Sequence, residues 1–212
     1  MRSRNILPAL LLAVLLPAIL RTVYPHHSGI SAQEGPEPLP FYMPVPEGWR
    51  TETIPFPIDF APGLDYEGIE ELRFAPGMFQ EGSEDFWTYA FVWWIPEETE
   101  IHPERLAADL EAYFSGLAIA VADSRGFDAS AGTYDVTIDE DGKDIGEGLM
   151  GTAKIFEPFV TGKALTLNIR VNVIPCGEEK AVFFEISPQP AGHPVWSSLQ
   201  EIRSGFRCDM EE

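Results

Sequence analysis

Residues 163–186, KALTLNIRVNVIPCGEEKAVFFEI, decide the fold. In the first half Leu165, Leu167, Ile169, Val171 and Val173 alternate with Thr166, Asn168, Arg170 and Asn172, the period of two of a strand with one buried face. A second apolar run, Ala181 to Ile186, follows after a short link around Cys176-Gly177. Such a link is too short for a crossover, so the two runs pair antiparallel.

Reading outward toward the N-terminus, Leu149 to Val160 predicts a strand broken near Pro158. Thr133 to Ile138 predicts another, and Asp141-Gly142 is a hairpin turn between them. Before these, Pro103 at a first helical position, with Leu106, Leu110, Phe114 and Leu117 at spacings of three and four, predicts an amphipathic helix that lies on the sheet. Phe86 to Ile95 reads as an interior strand. Its odd positions are Trp87, Tyr89, Phe91 and Trp93, and its even ones are Phe86, Thr88, Ala90, Val92 and Trp94, so both faces are largely apolar. Trp49 to Ile54 and Ile69 to Phe74 are short and hemmed by Pro55, Pro57, Pro62 and a Pro76-Gly77 turn, which suits edge or near-edge strands. Toward the C-terminus, Pro194 opens a short helix whose Val195, Leu199, Ile202 and Phe206 share a stripe. Three strands, a helix, four strands and a helix define an α+β protein, a single antiparallel β-sheet packed with helices.

Two further stretches bear on the fold. Pro46-Glu47-Gly48-Trp49 enters the first strand, and the run Lys180 to Ile186 is followed by a helix ending Ile202-Arg203-Ser204-Gly205-Phe206-Arg207. These two ends resemble the beginning and end of PsbP/Mog1-like domains. The resemblance implies an antiparallel sheet between helices and a binding or assembly role, and it carries over no functional residue.

Arg2 and Arg4 precede an apolar run from Ile6 to Leu20, the layout of an export signal. The run is shorter than the roughly twenty residues a membrane-crossing helix needs, and Pro8 and Pro17 lie inside it. Residues 1–32 are therefore read as a signal peptide cut after Ala32; Arg21, a stop-transfer flank, leaves an uncleaved membrane anchor as the alternative. Residues 33–48, with Pro36, Pro38, Pro40, Pro44 and Pro46, read as a stiff extended lead-in, and 49–212 as one domain. The expected location is periplasmic or secreted. In that oxidising setting the only two cysteines, Cys176 and Cys208, are expected to form a disulfide, with a pair of buried free thiols as the alternative.

The formal net charge of −20 excludes nucleic acid and anionic lipid headgroups as partners. The acids are dispersed, which reads as a solvated shell or as adaptation to salt. After residue 32 only His102 and His193 are available as imidazole bases, and each precedes a proline at a helix start, a place for helix punctuation. No Gly-x-Ser-x-Gly elbow is present. Acid pairs such as Glu70-Glu71 and Glu97-Glu98 are expected by abundance alone in a chain with 34 acids. The loop Asp139-Glu140-Asp141-Gly142-Lys143-Asp144 invites a calcium reading, but aligning Gly142 with the glycine of an EF-hand places Thr137 and Gly148 where ligands belong. The cysteines and histidines lack zinc spacing, so neither a metal nor a cofactor is implied.

What remains is a ligand site combining the rings of Trp87 or Trp93 with Asn168, Arg170 and Asn172, provided the two rows share a face of the sheet. The competing readings are rings buried as core and an Arg170 engaged in a surface ion pair. The functional expectation is an exported, non-enzymatic binding or accessory domain with a protein or small-molecule partner. Its rival is an exported hydrolase with an acidic site.

Overall fold

The computed structural model describes residues 38–140 and 148–209. Within them run β1 (Arg50–Pro55), β2 (Ile69–Phe74), β3 (Tyr89–Pro96), α1 (Pro103–Arg125), β4 (Asp135–Glu140), β5 (Leu149–Phe156), β6 (Ala164–Cys176), β7 (Glu179–Ser187) and α2 (Val195–Ser204). The class is α+β, in the element order the sequence predicts. The Asp141-Gly142 turn and most of the acidic loop lie outside the described residues.

The seven strands form one antiparallel sheet in the order β1-β2-β3-β7-β6-β5-β4. β1 to β3 step inward from one edge through the loops 56–68 and 75–88. The long α1 then carries the chain to the opposite edge, and β4 to β7 step back to meet β3 in the middle. The last strand is thus central, which is why the run from Ala181 to Ile186 is apolar on both sides.

α1 begins at His102, whose Nδ1 accepts from the Arg105 N–H at 3.3 Å, with Pro103 next and Glu104 in the first turn. It ends at Gly126, in the left-handed region at φ +77°, where a side chain would be strained. Leu106, Leu110, Tyr113 and Phe114 press onto Tyr89, Phe91 and Trp93 and onto Leu167, Ile169 and Val171, forming the larger core. Phe91 is its hub, stacked on Phe184 with ring centroids 4.4 Å apart. On the opposite face α2 covers Ala90, Val92 and Phe183 through Val195, Trp196, Leu199 and Ile202.

Two features depart from the sequence reading. The interior strand starts at Tyr89, because Trp87 sits at φ +51° and closes a loop by donating its N–H to Met78 O. Residues 39–45 belong to the fold: Phe41 and Met43 are buried with α2, and Tyr42 forms an antiparallel bridge with Arg207. Arg73, buried on β2, holds this segment by donating to Met43 O at 2.9 Å and Pro44 O at 3.0 Å while pairing with Glu71.

Candidate functional site

Cross-strand register fixes which side chains can meet. Phe91 lies opposite Phe184, and Phe184 opposite Val171. The odd positions of β3 therefore share a face with Ile169 and Val171, and Asn168, Arg170 and Asn172 share the other face with Ala90 and Val92. The composite site expected from the sequence does not form. Trp87 and Trp93 lie in the α1-side core at 1% and 0% exposure, and Trp93 Nε1 donates to Glu70 at 3.3 Å. A one-residue difference in parity, invisible without the pairing of β3 through β7 to β6, separates the two rows.

On the α2 face Asn168 and Arg170 nonetheless line a groove of about 280 Å³. Its floor is two cross-strand rows. Asn168, Thr152 and Thr137 form one, and Arg170, Met150 and Asp139 the other. Its wall is Trp196 from α2, a tryptophan the sequence reading assigned to no site. Asn172 lies outside the groove, with its side chain against Gly148. α2 and residues 39–45 cover the β3 and β7 part of this face, and the groove opens where that cover ends.

Arg170 is the organising group. Its guanidinium lies 4.2 Å from the centroid of the Trp196 ring, an arrangement that steadies the cation without consuming its N–H donors. Among the described residues it makes no hydrogen bond. Trp196 is itself fixed, Nε1 donating to Gln189 O at 3.2 Å and Pro190 O at 3.1 Å, and Asn168 Nδ2 donates to the same Gln189 O at 3.0 Å. The Thr137 and Thr152 hydroxyls meet at 3.1 Å.

Directly across the strand pair from Arg170 stands Glu185, fully buried. Its Oε2 accepts from Arg203 Nε at 3.2 Å, and its Oε1 has no hydrogen-bond partner among the described residues. Burial pushes this carboxyl above the usual range, while Arg203 and Arg170 pull it back. Arg170, Glu185 and Arg203 together carry a net charge of one positive or more, set against the carboxylate of Asp139 across the groove floor. An acid inside the apolar run Ala181 to Ile186 was the available signal for such a partner.

A second cavity, of about 290 Å³, lies on the α1 face between the helix and β1 to β3. Trp87 lines it with Phe60, Leu72, Phe74, Met78 and Phe159. The Trp87 indole N–H is buried and has no hydrogen-bond partner among the described residues. Burial works to raise the Glu157 carboxyl, but donation from the Thr161 and Phe159 backbone and the Thr161 hydroxyl outweighs it and holds the group below its ordinary value.

The remaining chemical candidates are engaged elsewhere. His102 caps α1, and His193 Nδ1 accepts from the Val195 N–H at 3.2 Å at the start of α2, on the other side of the sheet. Glu70 is sealed in the core, held by Trp93 and by Tyr113 Oη at 3.4 Å; burial lifts its carboxyl to about 8, against the pull of those two donors. Cys176 and Cys208 stand at disulfide distance, Sγ to Sγ 2.01 Å and Cα to Cα 5.3 Å. Among the described residues no three His, Cys, Asp or Glu side chains group as metal ligands, and no helix is long and apolar enough to cross a membrane. No family model, curated protein or solved structure matches the chain.

Proposed function

We propose that this protein is an exported, non-catalytic binding domain whose ligand surface is the Arg170 groove, and that the ligand is a small hydroxylated acid. One observation carries the reading: a guanidinium seated on Trp196, with its planar donors unspent among the described residues, in a concave, largely apolar setting that holds a few polar side chains. A carboxylate matches that fork in two parallel hydrogen bonds. Asn168, Thr152, Thr137 and Asp139 supply the mixture of donors and acceptors that hydroxyl groups need.

Export rests on residues 1–32 and is supported by the cysteine pair at disulfide distance, an arrangement at home in an oxidising compartment. Kinship with PsbP/Mog1-like domains belongs to the same proposal; helices on both faces of the antiparallel sheet support it. The hydrolase reading is disfavoured by the engagement of both described histidines with backbone N–H groups at helix starts and by the sealing of Glu70.

Titrating glucuronate while following backbone amide chemical shifts tests the reading. The expected perturbations centre on Thr152, Asn168 and Arg170, and glucose, which lacks the carboxylate, leaves those amides unmoved. Equal shifts with both sugars, or none with glucuronate, would refute it.

A further inference from the structure

The α1-face cavity has a lining of a different kind from the groove. Its walls are aromatic and aliphatic, yet two phenols line it as well, Tyr89 at 2% and Tyr113 at 3% exposure. Tyr113 spends its hydroxyl on Glu70 in a long 3.4 Å contact. Tyr89 makes no hydrogen bond to any described residue, although burial and the neighbouring Glu70 hold it well above the usual phenol range, so it stays a protonated donor. The Tyr89 hydroxyl lines the cavity without a partner among the described residues, so it can donate to an oxygen presented there.

Size and charge narrow the occupant. An apolar cavity of about 150 Å³ holds a benzene ring. This one is about 290 Å³, room for two fused rings. Glu52 is the charged residue of the lining, and the chain as a whole carries −20, so an anion is repelled. We propose that the cavity is a second binding site, independent of the Arg170 groove, for a neutral, compact ring compound of about two fused rings bearing one oxygen acceptor, with Tyr89 as the donor to that oxygen.

Equilibrium dialysis of the full chain with 2-naphthol and with naphthalene is the test. Wild-type protein takes up both saturably, and 2-naphthol more tightly. Tyr89→Phe removes only the hydroxyl, so 2-naphthol binding falls by about tenfold, the loss of one buried hydrogen bond, while naphthalene binding stays the same. Val121→Trp, placed at the half-buried helix side of the cavity, blocks both, with a cooperative thermal melt showing that each variant is folded. Absence of saturable uptake by the wild-type chain, uptake unaffected by Val121→Trp, or an equal loss of both probes in Tyr89→Phe would each overturn the assignment.

Discussion

Arg73 shows how much one side chain can hold. Buried on β2, it pairs with Glu71 and donates to Leu72 O, Met43 O and Pro44 O, fixing residues 39–45 against the sheet. Replacing it by alanine leaves Glu71 charged and buried, so Arg73→Ala is expected to cost about 3 to 5 kcal/mol in a urea melt. Glu70, three residues before Arg73 on β2, makes a prediction about pH. Its folded value of about 8 lies above the ordinary carboxylate value of 4.5, so between those limits the unfolded chain loses a proton that the native state keeps. Its contribution to stability is present at low pH and declines as pH rises through that window, with a slope of up to about 1.4 kcal/mol per unit. Glu70→Gln should flatten this decline, and melts at pH 5 and pH 8 on both proteins measure it; an unchanged slope would show that Glu70 ionises freely. Neither burial was legible in Ile69 to Phe74, because an acid-rich short strand between prolines reads as exposed edge. The partners that make burial tolerable, Trp93, Tyr113 and the 43–44 carbonyls, come from distant parts of the chain.

Among the elements, β6 and α1 were the most legible, because each carries an uninterrupted period over more than two turns or three residue pairs. β4 and β5 were less so, and the reason is visible at Gly151. A Cβ there would lie 2.0 Å from Thr137 O, so the close approach of β4 to β5 requires glycine, and glycine interrupts the apolar pattern that marks a strand. Gly151→Ala is therefore expected to push β4 outward, destabilise by about 1 to 3 kcal/mol and weaken glucuronate binding, since Gly151, Thr137 and Asp139 all line the groove. Thermal melting and titration together check it; full stability with altered binding would contradict the packing argument. The polar row of β6 was also legible, as was the need for an aromatic partner. Which aromatic it met was not. β3 and β6 are separated in sequence by a helix and two strands, and only the pairing through β7 reveals that Trp196, carried in by α2, stands where Trp87 and Trp93 were expected.

At the scale of the whole molecule, the sheet is held between two helices and tied at its end by the cysteine pair. The pair closes a loop of 32 residues that spans β7 and α2. On the chain-entropy account this stabilises by about 3 to 4 kcal/mol. Replacing both Cys176 and Cys208 by serine should lower the melting midpoint without moving the groove, and an unchanged midpoint would show that the loop is already ordered in the unfolded chain. Under the proposed function, the acidic shell would set the selectivity of the groove. With so many carboxylates around it, an anion would be held only where a cation is presented in a fixed geometry, as the stacking of Arg170 on Trp196 presents one. Calorimetric titration of glucuronate into wild-type protein, Arg170→Ala and Arg170→Lys tests that claim most directly. Saturable binding to wild type, lost in the alanine variant and weakened at least about tenfold in the lysine variant, which keeps the charge but not the planar fork, is the predicted result. Equal affinity in all three proteins, each with an unaltered melting midpoint, would contradict it.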